Sequence, residues 1–383
     1  MTEAPPIAVY VHWPYCSRIC PYCDFNVVRD RGKAEEQAAL ARAIAADLEA
    51  QAARLGPRSL VSVFFGGGTP SLMDPDAAGR IVETARRLFP AGPGLEVTLE
   101  ANPTDAEAGR FHAFAASGVN RLSLGVQSLD DAQLAFLGRN HSAAEARRAT
   151  ETARAAFPRL SVDMIYARPG QTVAAWTAEL EAALELGAEH VSPYQLTIEE
   201  DTAFARAVAR GQWSPPDGDT GADLYDATQA VLAAAGFDAY EVSNHAMGDE
   251  ARSTHNLEIW RGAEYVGVGP GAHGRLVLDG QRTATRAARG IGDYVARVRE
   301  AGVGWDEAET LDPVAAAEER LLLGLRIREG VPLAQVAVLG LDPAAAHIRR
   351  LIGAGLIDID ARRIRVTDAG RLVLDRLLAE LLA

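Results

Sequence analysis

The amino-acid sequence predicts an α/β protein: a partial or full parallel (β/α) barrel of about six βα units, then an α+β region and a C-terminal winged-helix-like module. Three observations predict it. Short apolar runs alternate with Ala/Leu-rich stretches of helical period through the first 200 residues, an order that builds parallel sheets with right-handed crossovers. Polar and glycine-rich strings recur just after the apolar runs, at the strand ends where parallel α/β sheets place their sites. Beyond about residue 200 the alternation stops, which marks a second region.

The strand-like runs are residues 7–12, 60–65, 95–100, 121–127, 160–166 and 190–196. They are short and rich in β-branched or apolar residues, as buried parallel strands are. Helical stretches between them include 33–54, 75–88, 143–156 and 172–186, while the glycine- or proline-containing segments 212–220 and 267–274 interrupt the second region. From Asp312 the expected order is helix (313–328), short helix (332–338), helix (344–354), a hairpin (356–360 and 364–367) and a helix from Asp368. Three helices, a two-stranded wing and a helix suggest a winged-helix module. The expected division is 1–200 barrel core, 201–305 α+β extension and 306–383 C-terminal module.

Composition narrows the function. With 383 residues, 48% hydrophobic and 23% charged, the chain reads as globular. Asp+Glu 52 against Lys+Arg 38 gives a net charge of −14, which opposes binding to nucleic acid or anionic lipid, so no nucleic-acid partner is expected. Arg349, Arg350, Arg362, Arg363 and Arg365 form a local basic face, read as solvated or as a partner surface. No leader pattern and no apolar run of about 18 residues is present, so a cytoplasmic protein is expected.

All three cysteines, Cys16, Cys20 and Cys23, fall inside eight residues. An odd number at tight spacing is not a disulfide framework; it points to a metal or a reactive thiol. Thiolates are the usual ligands of iron–sulfur clusters, and three of them leave one iron of a four-iron cluster open for another ligand. Zinc would need a fourth ligand, and the nearest histidine, His12, belongs to the preceding strand. Gly66-Gly67-Gly68-Thr69-Pro70 alone would be an ordinary turn. Gly267-x-Gly-x-Gly-x-x-Gly274 lacks the following helix and acidic residue of a dinucleotide loop and is rejected as one.

Cys16-x3-Cys20-x2-Cys23 after the first strand of a β/α repeat resembles the signature of radical S-adenosylmethionine enzymes. The resemblance implies a [4Fe-4S] cluster on the three cysteines, with S-adenosylmethionine chelating the open iron through its amino and carboxylate groups. It places Tyr22 against the adenine and brings the backbone of Gly67, Gly68 and Thr69 to the methionine amino group. Glu100, Gln127, Arg139 and Asp163, in Leu-Glu-Ala-Asn-Pro, Gly-Val-Gln-Ser, Leu-Gly-Arg-Asn-His and Val-Asp-Met-Ile-Tyr, resemble the family's contacts to methionine and ribose. Tyr10 matches a tyrosine six residues before the first cysteine. The bland alternative makes each a strand-end cap or a salt bridge.

Within the family the chain resembles the subgroup of oxygen-independent coproporphyrinogen III oxidases and haem chaperones. Tyr10-Val-His-Trp-Pro-Tyr-Cys16, Gly170-Gln-Thr172, Tyr194-Gln-Leu-Thr197 and Gly267-Val-Gly-Pro-Gly-Ala-His-Gly274 carry that likeness. Asp24-Phe25 stands where the oxidase has Gly-Cys, and six residues precede the first strand where the oxidase has a longer extension; both favour the chaperone side. His255-Asn-Leu-Glu-Ile-Trp260 resembles the chaperone motif H-N-x-x-Y-W, with Ile259 in the tyrosine position, and this implies haem ligation by His255. His245 and His273 are lesser candidates. The resemblance further implies delivery of haem to respiratory haemoproteins, transient contact with membrane-bound acceptors, and a monomer or cluster-dependent dimer. Radical decarboxylation of coproporphyrinogen is the rival function, and a zinc-bearing winged-helix DNA-binding protein a more distant one.

Overall fold

The computed structural model describes residues 4–382. Six strands follow the expected order: β1 (Pro6–Trp13), β2 (Ser59–Gly67), β3 (Ala91–Ala101), β4 (Arg121–Gln127), β5 (Arg159–Tyr166) and β6 (His190–Gln195). Each pairs in parallel with the next. Helices α1 (Ala34–Ala52), α2 (Pro75–Leu88), α3 (Ala143–Ala156) and α4 (Val173–Leu184) fall in the connections. Sequential order is the topology of a barrel; a doubly wound sheet would reverse its order at a switch point. Side chains fix the helix starts, with Ser142 and Glu145 forming a capping box on α3 and Thr172 accepting from Ala175 N on α4.

The sheet then grows from both edges. After α5 (Gly218–Ala234), β7 (Asp238–Ala239) and β8 (His245–Ala246) pair antiparallel beside β6. After α6 (Thr254–Trp260), β9 (Glu264–Val268) lies parallel to β1. Then β10 (His273–Leu278), β11 (Gln281–Ala287), α7 (Ile291–Ala301) and β12 (Trp305–Thr310) complete an antiparallel meander. The result is one 12-stranded sheet with β12 and β7 at its two ends. The barrel is therefore partial rather than closed.

Along the parallel strands the side chains alternate, as strand geometry requires. Val9 and Val11 of β1, Val97 and Leu99 of β3, Leu122 and Leu124 of β4 and Val162 of β5 pack in one apolar core with Ile44 and Leu48 of α1, Ile81 of α2 and Leu180 of α4. Each such burial stabilises by roughly 1.5–3 kcal/mol. The intervening residues Glu100, Arg121, Ser123, Asp163 and Ser192 face a cavity on the other side.

The C-terminal region has its own apolar core, centred on Leu321, Ile348, Ile364 and Leu377. It comprises α8 (Pro313–Gly324), β13 (Val331–Pro332), α9 (Ala346–Gly353), β14 (Ile357–Ile359), β15 (Arg363–Val366), a helical turn at Asp368–Arg371 and α10 (Leu374–Leu381). Two expectations are corrected. The short helix at 332–338 is a pair of 3-10 turns, Leu333–Gln335 and Ala337–Leu339, because β-branched Val336 and Val338 crowd a helix and Gly340 ends the segment in a left-handed conformation. The expected two-stranded hairpin is part of a three-stranded sheet, since β13 pairs with β15. Among the described residues no helix is long and apolar enough to cross a membrane.

Candidate functional site

A cavity of about 670 Å³ opens at the C-terminal ends of the parallel strands. The loop after β1 forms one wall. It is closed at its root by Val28 N donating to Pro14 O (2.8 Å) and Asp30 N donating to Cys16 O (2.7 Å), and Cys23 N donates to Cys20 O across its tip (3.2 Å). Cys16, Cys20 and Cys23 are free thiols, and all three line the cavity. Burial pushes the Cys16 thiol up to about 11, against a hydrogen bond with Thr69 that favours the thiolate. Metal ligation would therefore release a proton there.

The glycine-rich string after β2 is shaped by the chain beside it. Gly67 has φ +106°, and a Cβ there would lie 2.5 Å from the His12 ring. Gly68 N and Thr69 N donate to Trp13 O and Tyr15 O, both at 2.8 Å. The segment is thus stitched to the root of the cysteine loop, and glycine is required for that approach. Gly138 serves the opposite wall, where φ is +68° and a Cβ would sit 2.5 Å from Pro21 Cδ. It lets Arg139 come in against the cysteines.

Arg139 ties these walls together. Its Nη1 lies 3.4 Å from Cys20 Sγ and 3.5 Å from Tyr22 Oη, and its Nη2 donates to Gly125 O (3.0 Å) and to Asn102 Oδ1. A guanidinium there offers positive charge to a thiolate assembly. Gln127 ends β4 with φ +65°, a strained conformation for a side-chain-bearing residue, and its buried Oε1 has no partner among the described residues. An unmatched acceptor facing a cavity is a ready contact for a ligand donor.

The floor is acidic. Glu100 Oε2 accepts from Gly67 N (3.3 Å), and burial, then the nearby Asp163, push its carboxyl up to about 8. Asp163 accepts from Ser123 Oγ (2.9 Å) and Ser161 Oγ (3.3 Å). Burial raises it as well, opposed by Ser192, Ser123 and Arg121. Two desolvated carboxyls this close disfavour double ionisation, so Glu100 stays largely protonated at neutral pH.

Of the residues that the resemblance assigns to the cluster and S-adenosylmethionine, all but Tyr10 line this cavity, and none of the three candidate haem histidines does. Tyr10 packs beneath it, donating to His12 Nδ1 (3.0 Å) and stacking on Phe64 (6.3 Å between centroids). His12 Nε2 donates to Asn26 O (2.9 Å), so both ring nitrogens are engaged and a zinc ligand role would break one of the two bonds. His255 is 3% exposed: Nδ1 bonds Ser62 Oγ at 2.9 Å, and the ring stacks on Phe64 at 4.7 Å. Its neighbour Asn256 lines the cavity instead. The start of α6 is held by buried Glu96, which accepts from Thr254 N (3.0 Å) and His255 N (2.9 Å). Its end meets the C-terminal region, where Arg326 lies 4.6 Å over the Trp260 ring. His245 lies in a different cavity and His273 is exposed on β10, so the three histidines do not form one site. Sequence reasoning missed Arg121, Ser123, Ser192 and Asn244, which all line the cavity; polar residues at every second position of β4, β5 and β6 were the available signal for the first three, and Asn244, just before β8, carried none.

Cysteines at the mouth of a parallel β/α cavity, above a polar floor, define a cluster-binding radical S-adenosylmethionine protein, and comparison with known proteins agrees. Residues 10–183 match the Radical SAM superfamily, and residues 311–373 match the HemN C-terminal domain. The chain is 40% identical to "Radical S-adenosyl methionine domain-containing protein 1, mitochondrial" of Bos taurus, over 98% of this chain and 87% of that one. It is 34% identical to "Heme chaperone HemW" of Escherichia coli, over 100% of both. The solved coproporphyrinogen III oxidase (HemN) of Escherichia coli superposes with a TM-score of 0.80 at 21% identity, covering 99% of this chain and 90% of that one, which shows a shared fold. The chain belongs to the HemW-type family of radical S-adenosylmethionine proteins.

Proposed function

We propose that this protein is a haem chaperone that carries a [4Fe-4S] cluster, binds S-adenosylmethionine and delivers haem to respiratory haemoproteins. One observation carries the reading: a full-length relative at 34% identity is named a heme chaperone, and here the three cysteines line one cavity. Cys16, Cys20 and Cys23 would hold three irons and leave the fourth open to S-adenosylmethionine. When bound, the reduced cluster supplies an electron for cleavage of the sulfonium.

The chain's own residues do the rest. Arg139 positions Cys20 and Tyr22 and places positive charge beside the sulfurs. Gly67, Gly68 and Thr69 present backbone to the methionine end, while Gln127, Glu100 and Asp163 supply the polar wall. Glu100 holds a proton until a cationic group reaches it. Tyr22 offers a ring for adenine, backed by Phe204 at 6.3 Å.

Haem is the cargo, with His255 as its proposed iron ligand. Ser62 engages Nδ1, so Nε2 is the nitrogen for iron, and because the ring is buried, α6 must shift from β2 for haem to reach it. We place this activity in the cytoplasm, where thiols stay reduced, with transient contact at membrane-bound acceptors and a monomer or cluster-dependent dimer as the working state. Anaerobic reconstitution followed by hemin titration tests the reading. A stoichiometric haem spectrum beside about four iron and four sulfide is expected. Turnover of coproporphyrinogen III to the divinyl product would make the protein an oxidase instead.

A further inference from the structure

We infer that a second cavity, where the sheet edge meets the C-terminal region, binds a small oxyanion, a carboxylate or a phosphate. The cavity measures about 390 Å³ and shares no lining residue with the cysteine cavity. Tyr225 and Gln229 of α5 and His245 of β8 form one side; Arg328, Arg371 and Asp368 of the C-terminal region form the other.

The donors outnumber their acceptors. Arg371 is 6% exposed; its Nη1 donates to Arg326 O (3.0 Å), but its Nε and Nη2 have no acceptor among the described residues. Gln229 Nε2 is likewise buried without an acceptor. His245 Nε2 donates to Gln229 Oε1 (3.2 Å), which orients that amide toward the cavity. Arg328 donates from Nε to Ala239 O (2.5 Å). The one acid between the two arginines is Asp368, whose Oδ1 lies 3.7 Å from Arg328 and 3.8 Å from Arg371, outside hydrogen-bonding distance. Its side chain is 82% exposed and screened by water.

Buried polar groups are normally bonded, so several open donors on one cavity wall call for an acceptor. Asp226 and Asp238 also line the cavity, but both are exposed and screened by water, whereas the open donors of Arg371 and Gln229 are buried, and a cation or an apolar ligand would leave them stranded. An oxyanion matches the forked geometry of arginine. At net charge −14 the chain as a whole does not attract anions, so this local pair of arginines would have to do so. A bound anion would also join Gln229 of the main sheet body to Arg371, and so fasten the C-terminal region. This inference does not rest on the haem reading.

The test is thermal unfolding and calorimetric titration of the cluster-loaded protein with inorganic phosphate and with malonate, at constant ionic strength against sodium chloride. Saturable stabilisation by one or both is expected, and which of them acts identifies the source. Arg371→Gln should weaken binding by about tenfold or more, the loss of a charge-assisted hydrogen bond, with iron content and S-adenosylmethionine binding unchanged. Arg328→Gln and Gln229→Leu supply the same comparison if Arg371→Gln does not fold. A wild-type response to phosphate and malonate no larger than to chloride overturns the inference, as does equal binding by the folded variants.

Discussion

His255 and Phe64 lie ring on ring, 4.7 Å between centroids and 24° from parallel, with Ser62 Oγ on the imidazole Nδ1. The proposed haem ligand is therefore also a packing residue between α6 and β2, and the two roles separate by substitution. His255→Ala should remove the haem spectrum and cost roughly 2–4 kcal/mol of stability, the range for deleting a large buried side chain. His255→Phe keeps the stack and should recover most of that stability without haem. Full haem absorbance in His255→Phe would remove His255 as the ligand.

Loss of any cysteine should empty the cluster. Cys16→Ala, Cys20→Ala and Cys23→Ala each leave two thiolates, and iron and sulfide analysis after anaerobic reconstitution should fall to background. Arg139→Met keeps all three cysteines, so iron should remain near four per chain while S-adenosylmethionine binds more weakly. Stoichiometric zinc without sulfide in the wild type would contradict the cluster.

Asp163→Asn should weaken S-adenosylmethionine binding by about tenfold or more and spare the iron, because it removes charge from the floor without touching a thiol. Equilibrium titration beside iron analysis checks both halves. Iron loss as complete as in a cysteine variant would show that Asp163 has a structural part in holding the cluster loop.

Glu100 sets a pH dependence. Its carboxyl is raised from 4.5 to about 8 in the folded protein, so the native state holds a proton that the unfolded chain has released. Stability from this group is complete below the unfolded value and is lost as pH rises through about 8. Without added S-adenosylmethionine, the melting temperature should fall between about pH 5 and 8 and level off above, and fall less steeply in Glu100→Gln. Parallel slopes for the two proteins would assign the effect to another group.

The α6 anchor predicts a stability loss away from the cysteines. Glu96 is 1% exposed, and although burial pushes its carboxyl up, Arg121, Arg159 and the amides of His255 and Thr254 outweigh that and hold it below its usual value. Glu96→Ala strands Arg159 and the start of α6, at a cost of roughly 3–5 kcal/mol. Chemical denaturation measures it; a loss within experimental error of zero would show that α6 does not depend on this anchor.

Local pattern determined much of this protein. Six apolar runs separated by helical stretches specify parallel β/α units, because strand and helix periods are properties of neighbouring residues. The spacing of Cys16, Cys20 and Cys23 specifies three thiols on one loop, and the strings around Glu100, Gln127, Arg139 and Asp163 mark residues that meet in one cavity. Tertiary structure decided what depends on distant segments. An open rather than closed barrel follows from β9 adding to β1 and β8 to β6, pairings between residues far apart in sequence. His255 faces the core and Asn256 the cavity because Glu96, 159 residues earlier, fixes the start of α6. Arg371 meets His245 only where the C-terminal region docks on the sheet edge. Periodicity reports which residues share a face, whereas the partner of that face is set by long-range packing.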